Sequence, residues 1–203
     1  MNWSVKARIA RGLATLPWSE TWYRMIQKRF GRLDGCPDKR LNFVIDIIKW
    51  LRAHRRPANG SYVEVGTGHV PIVPIGLWLA GAQEIWTYDL NRRLDSQICI
   101  RAINWLRNHR DSVAESFMAA GIDIDARLRE IDRIKDVKGL FQTTGIHYIA
   151  PGDASQTNLP EKSIDVHFSV TVLEHVEPNA LNGILREARR MLKPNGVAIH
   201  MID

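Results

Sequence analysis

The chain has 203 residues, 45% hydrophobic and 25% charged, the balance of a single globular domain able to bury an extended core. Its longest apolar stretch, Val70 to Ala82, contains Pro71 and Pro74 and falls short of a membrane span, and the basic N-terminus has no uninterrupted apolar run for a secretory signal. The net charge of +6 is uneven: residues 1–57 hold thirteen Lys and Arg against four Asp and Glu, a net +9, while the remainder carries −3.

That asymmetry marks residues 1–57 as a basic helical N-terminal arm, with Trp3, Trp18, Trp22 and Phe30 among its aromatics. Such an arm could meet anionic lipid, as a peripheral membrane contact, or nucleic acid or an acidic partner. The blander reading is a solvated face whose arginine stems and aromatics lie on the domain. Cys36 and Cys99 match neither a disulfide framework nor a zinc-ligand pattern, so both read as reduced thiols. No His and carboxylate cluster has metal-ligand spacing either. The expectation is a cytoplasmic protein without a metal.

From Asp38 to His54, Leu41, Val44, Ile45, Ile48 and Leu51 recur at helical spacing until Pro57-Ala-Asn-Gly60 stops them. Tyr62 to Val65 reads as a strand entering the turn Gly66-Thr-Gly68. Residues 70–81 form the following helix, its regular part confined by the two prolines to the later half. Glu84 to Tyr88 is a second strand, ending at Asp89. Asp95 to Met118 is mostly helical, and 121–144 reads as one helix, Ile124 to Ile134, plus loop. Ile146 to Ile149 and Ile164 to Val170 are further strands. Leu181, Ile184, Leu185, Ala188, Met191 and Leu192 mark an amphipathic helix started by Pro178 and stopped by Pro194-Asn-Gly196, before a fifth strand from Val197 to Ile202.

Strands alternating with helices predict an α/β fold with a parallel sheet, whose ligand binds beyond the carboxyl ends of the strands at the switch in strand order. The chemistry-bearing residues fall there. Gly66 and Gly68 let a ligand approach the backbone, and the next helix start offers N–H groups. Asp89 can accept hydrogen bonds from a ribose diol, or more plainly cap the next helix. A dinucleotide is disfavoured, since the fingerprint's third glycine is replaced by Pro71. Glu64, two residues before the first glycine, suits a cationic ligand end better than a diphosphate.

Taken together, Glu64-x-Gly66-x-Gly68, Asp89, Gly152-Asp153-Ala154, the run Ile164 to Val176 containing Leu173-Glu174-His175-Val176, and Leu192-Lys-Pro-Asn-Gly196 resemble class I S-adenosylmethionine-dependent methyltransferases. The likeness is to the small-molecule branch with an L-E-H-V sequence, and it covers residues 60–203. It implies a Rossmann-like three-layer sandwich, a domain over 58–203, S-adenosylmethionine as cofactor and S-adenosylhomocysteine as product. By the same resemblance Glu64, Gly66, Thr67 and Gly68 surround the methionine end. Asp89 holds the ribose with Leu90 beside the adenine, Asp153 meets the adenine amine next to Ala154, and Ser169, Val170 and Thr171 line the floor near the methyl. His175 is a candidate base, weighed against a role in orienting its loop, which Glu174 could share.

Three departures from the family accompany this likeness. Val70 stands where many relatives place a third glycine and would crowd the cofactor side of the turn. The insertion over about 92–145 exceeds one crossover helix and reads as a lid or acceptor-recognition element, or as structural support for an oligomer. The chain stops at Asp203 without the family's C-terminal helix and hairpin, so the expectation is a truncated domain, or a homo-oligomer or partner on the fifth-strand edge. Three functions compete. The first is methyl transfer to a small-molecule, lipid or saccharide-linked acceptor. The second is a non-catalytic scaffold that keeps the fold. The third is a nucleic-acid methyltransferase, disfavoured because Val170-Thr-Val-Leu173 replaces the Asn-Pro-Pro-aromatic signature.

Overall fold

The computed structural model describes residues 37–202. The basic arm's residues 1–36, including Cys36, lie outside that range. The first described helix, α1 (Asp38–Ala53), follows the expected spacing, burying Leu41, Val44, Ile45, Ile48 and Leu51. Its partner is α2 (Ile72–Leu79). At Gly76 of α2 a Cβ would stand 2.6 Å from Val44 Cγ2 and 3.0 Å from Leu41 Cδ2, so a side chain there would push the helices apart. The described residues, 37–202, form one compact unit, and α1 is part of that unit. Helix α1 shares its apolar face with α2 and so packs with the same unit as the sheet.

Five strands form one parallel sheet: β1 (Ser61–Val65), β2 (Glu84–Tyr88), β3 (Ile146–Ile149), β4 (Ile164–Val170) and β5 (Leu192–Met201). Their order is β3-β2-β1-β4-β5, and among the described residues seven helices flank them in a Rossmann-like arrangement. The order reverses between β1 and β4, whose tips pair through Val65 and Ser169. Side-chain alternation along β1 builds two core layers. Val63 and Val65 join a cluster with Tyr88, Leu173, Ile184 and Met191. Tyr62 packs edge-on to Phe168 at 6.3 Å.

Four details differ from the sequence reading. The helix α2 is regular from Ile72, because Pro71 and Pro74 fall where the N–H groups have no intrahelical acceptor. The span 95–118 divides at His109 into α3 (Ser96–Asn108) and α4 (Arg110–Ala119). The span 121–144 holds two helices, α5 (Asp125–Ile131) and α6 (Val137–Thr144). Local signals explain α6: Asp136 accepts the Gly139 N–H at 2.7 Å as N-cap, and Gly145 closes the helix at φ 64°. Finally, β5 begins at Leu192, with a register shift opposite Ile164 and Val166 that absorbs Pro194 to Gly196.

The long insertion contributes to the core. In α3, Ile98, Cys99, Ala102, Ile103 and Leu106 are buried, and α4, α5 and α6 pack around it. Arg127 of α5 donates to the carbonyls of Trp78 and Ala82 and lies 5.3 Å from the Trp78 ring centroid. That anchor grips the C-terminal end of α2, the end remote from the glycine turn. No described helix is long and apolar enough to cross a membrane.

The other helix, α7 (Pro178–Met191), buries Ile184, Ala188 and Met191, as its spacing predicts. It also fixes the segment after β3. Glu187 Oε1 accepts from the Thr157 amide at 3.0 Å, the Thr157 hydroxyl at 2.6 Å and Arg190 at 2.7 Å. Arg190 in turn donates to the Leu159 carbonyl at 2.7 Å.

Candidate functional site

The tips of β1, β2 and β3 stand side by side and bring three predicted acids to one end of the sheet. Glu64 is 4% exposed, and its carboxylate accepts a hydrogen bond from the Thr87 hydroxyl, which is also paired with Thr67. Burial pushes the Glu64 pKa up to about 8, opposed by the Thr87 hydrogen bond and the positive charge of Arg40, and reinforced by Asp89. A carboxylic acid held this way is largely protonated at neutral pH and ionises when a cation arrives.

Above Glu64 the backbone turns through Gly66 at φ 89° and Gly68 at φ 69°, conformations that favour glycine. The Gly66 amide donates to the Tyr88 carbonyl at 2.8 Å, and Asp89 Oδ2 accepts the Gly68 amide at 2.9 Å. Asp89 Oδ1 takes the Asn91 amide at 3.3 Å. Asp89 therefore does not cap the next helix, as the plainer reading had it; it binds the glycine turn and the start of its own loop. The cap of α3 is Asp95, which accepts from Gln97 and Ile98. Leu90, beside Asp89, is 69% exposed.

Asp153 is exposed, with Oδ1 accepting the Ser155 amide at 2.8 Å, and Ala154 beneath it is buried. Ser169 is fully buried and shares a 2.9 Å hydrogen bond with His200 Nδ1. Val170 and Thr171 are half-buried, Thr171 at φ 52°. His175 is exposed, and its backbone amide donates to Val172. Glu174 makes no hydrogen bond that could orient the loop: both carboxylate oxygens are buried without a partner. Val70 is 7% exposed, its side chain turned into the domain. The His69 carbonyl receives the Asp95 amide at 2.9 Å, tying the glycine turn to the start of α3.

Three contributors escaped the sequence reading. Thr87 supports Glu64 from the neighbouring strand; its signal is a polar residue set among the apolar and aromatic Ile85, Trp86 and Tyr88. Arg40 acts on Glu64 electrostatically from α1, yet it was counted with the arm. His167 and His200 form an edge-on pair at 5.2 Å, and His167 is fully buried. Burial lowers the His167 pKa to about 3, with a further contribution from His200, whose own pKa burial also lowers. Cys99 is a free buried thiol, pushed up to about 12 by burial. Among the described residues no group of three or more His, Cys, Asp or Glu is placed to hold a metal ion.

Comparison with known proteins gives a methyltransferase-domain family model matching residues 107–200. Among solved structures, a protein from Pyrococcus horikoshii OT3 is similar at 16% identity and TM-score 0.48, over 80% of this chain and 53% of that one. Haemonchus contortus phosphoethanolamine N-methyltransferase 1, solved with phosphoethanolamine and S-adenosylhomocysteine, is similar at 16% identity and TM-score 0.41, over 70% of this chain and 22% of that one. The chain thus spans about half or less of the length of these structures. No curated protein sequence matches it. The family model falls on the stretch that carries β3, β4 and β5, and over that stretch the chain is similar to methyltransferase domains, while the glycine turn and the acids Glu64 and Asp89 precede it.

Proposed function

We propose that this domain binds S-adenosylmethionine across the tips of β1, β2 and β3 and directs methyl transfer to a small-molecule, lipid or saccharide-linked acceptor. The observation that carries the reading is Glu64, a buried acid at the root of a two-glycine turn with its pKa raised to about 8. Such an acid is poised to ionise against a ligand ammonium, while Gly66 and Gly68 leave the backbone open to close approach.

The remaining residues fit the other parts of that cofactor. Asp89 keeps acceptor capacity beyond its two amides, enough to receive ribose hydroxyls. Exposed Leu90 offers an apolar surface for a purine, and exposed Asp153 an acceptor for its amine. Ser169, Val170 and Thr171 form the floor at the tip of β4. The bound cofactor supplies an activated methyl group on a sulfonium. The protein's part is alignment of that methyl with the acceptor and exclusion of water, contributions that need no strong base. His175, exposed in the turn after β4, is the candidate base for an acceptor that must lose a proton.

Calorimetry with S-adenosylhomocysteine tests the reading, followed by incubation with a labelled methyl donor and cell extract. Binding and label incorporation support it. Binding without incorporation favours a scaffold that keeps the fold, and absence of binding removes the cofactor assignment.

A further inference from the structure

At the foot of the sheet a cavity of about 330 Å³ lies where the start of β4 meets the end of α1 and the first residues of β5. That volume falls within the range of small-molecule sites, roughly 300–1,000 Å³. Buried Leu51 and Val166, with Pro57 and Pro194, supply apolar walls, and Arg56, Asp165, Lys193 and Asn195 supply the polar ones. The register shift between β4 and β5, opposite Ile164 and Val166, falls where Lys193 to Asn195 line the cavity. All the strands run parallel and start at this end. Asp165 precedes Ser169, at the β4 tip, by roughly 13 Å of strand. The cavity is therefore separate from the crevice beside the glycine turn.

The polar groups of the cavity are unequally engaged. Asp165 Oδ2 accepts the Ser61 amide at 2.9 Å and Lys193 Nζ at 2.8 Å, so its charge is matched within the wall. The Lys193 ammonium keeps further donor capacity beyond that one bond. Arg52, four residues before Arg56, is spent on the Ala120 carbonyl at 2.7 Å. The Arg56 side chain has no hydrogen bond or ion pair among the described residues. Along the chain no acid lies between Asp46 and Glu64, a stretch that holds Lys49, Arg52, Arg55 and Arg56. One positive charge is thus left over in a cavity with apolar walls. We propose that this cavity binds a small organic carboxylate, its anionic end on Arg56 and Lys193 and its hydrocarbon part against Leu51, Val166 and the prolines. A guanidinium presents paired N–H donors that match a carboxylate. A phosphate monoester would bring about −1.5 to −2 charges to a site that offers one and also holds Asp165. The assignment is independent of the methyltransferase reading. A ligand held here bridges the loop after α1 to the start of β5.

The test titrates the full chain with hexanoate and follows backbone amides by proton–nitrogen NMR. The expected result is saturable movement of the Gly60, Asn195 and Gly196 amides, with a dissociation constant of about a millimolar, in keeping with so small a ligand. The Gly66 and Gly68 amides at the strand tips stay in place. Hexanamide, the neutral isostere, binds about tenfold more weakly, the scale of one lost charge contact. Arg56→Gln lowers hexanoate affinity by a similar factor, and Arg56→Lys recovers part of it; the remainder of each spectrum reports that the fold is kept. Shifts that fail to saturate, shifts confined to the strand tips, or hexanamide binding as well as hexanoate overturn the proposal, and none of these needs a variant. Unchanged affinity in Arg56→Gln overturns it too. Inorganic phosphate binding more tightly than hexanoate overturns the choice of a carboxylate.

Discussion

Asp89 Oδ2 lies 2.9 Å from the amide nitrogen of Gly68, so the acid at the tip of β2 closes the glycine turn that follows β1. One side chain thereby shapes the turn and retains acceptor capacity for a ligand. Asp89→Ala removes both functions, and Asp89→Asn keeps an acceptor but loses the charge. A hydrogen bond to a charged group is worth about 1.5–3 kcal/mol, so Asp89→Ala should weaken S-adenosylhomocysteine binding by roughly ten- to a hundredfold. Asp89→Asn should fall between Asp89→Ala and wild type. Calorimetry reads the order, and unchanged affinity in Asp89→Ala would displace the cofactor from this position.

The two turn glycines should respond differently to alanine. Gly68 has φ 69° and open space around its missing Cβ, so Gly68→Ala should cost about 1 kcal/mol from its left-handed backbone alone. Gly66 combines φ 89° with the Val172 side chain at 2.5 Å, adding a steric penalty of about 1–3 kcal/mol. Urea denaturation of the two variants checks the order.

Glu64 links ligand binding to protons. Its folded pKa of about 8 lies above the unfolded value near 4.3, so the folded state holds the extra proton between them. The Glu64 contribution to stability is complete below that unfolded value and is lost as pH rises through about 8. A ligand ammonium favours the ionised form, so binding near pH 7 should release a proton. Calorimetry in buffers of different ionisation enthalpy measures that release, and Glu64→Gln should abolish it while flattening the stability slope.

His167 acts with the opposite sign. Its folded pKa of about 3 lies below the ordinary 6.5, so the unfolded chain binds the proton first. Stability is fully present above pH 6.5 and is lost as pH falls toward 3, because a charge cannot be accommodated beside His200 in the buried β4–β5 layer. Replacing this ring with an apolar one, as in His167→Phe, should remove the loss in that window. Denaturation midpoints between pH 4 and 7 distinguish this effect from that of Glu64.

Glu187 should be the most sensitive surface-adjacent position. Its carboxylate, held down to a pKa of about 2 chiefly by the Arg190 hydrogen bond, joins α7 to the segment bearing Asp153. Glu187→Ala leaves the Thr157 amide and hydroxyl and the Arg190 guanidinium without their acceptor. Breaking a buried pair costs about 3 kcal/mol, less here by the solvent exposure of Arg190. Urea denaturation, with circular dichroism to confirm the fold, gives the value.

The sequence by itself determined the α/β order and the strand-tip placement of Glu64, Gly66, Gly68, Asp89 and Asp153, because both follow from periodicity and turn chemistry that act over a few residues. The helix α6 was also written locally, in Asp136 and Gly145, but its short apolar face was masked by the charge around it. Other features depended on neighbours distant along the chain. The assignment of α1 to the domain needed Gly76 against Val44, and the support of Glu64 needed Thr87 on the next strand and Arg40 on a helix read as arm. The orphaned carboxylate of Glu174 and the buried His167–His200 pair likewise became visible only with tertiary packing. Whether a polar group is solvated, paired or stranded depends on which elements enclose it, and that is decided when the sheet and helices pack together.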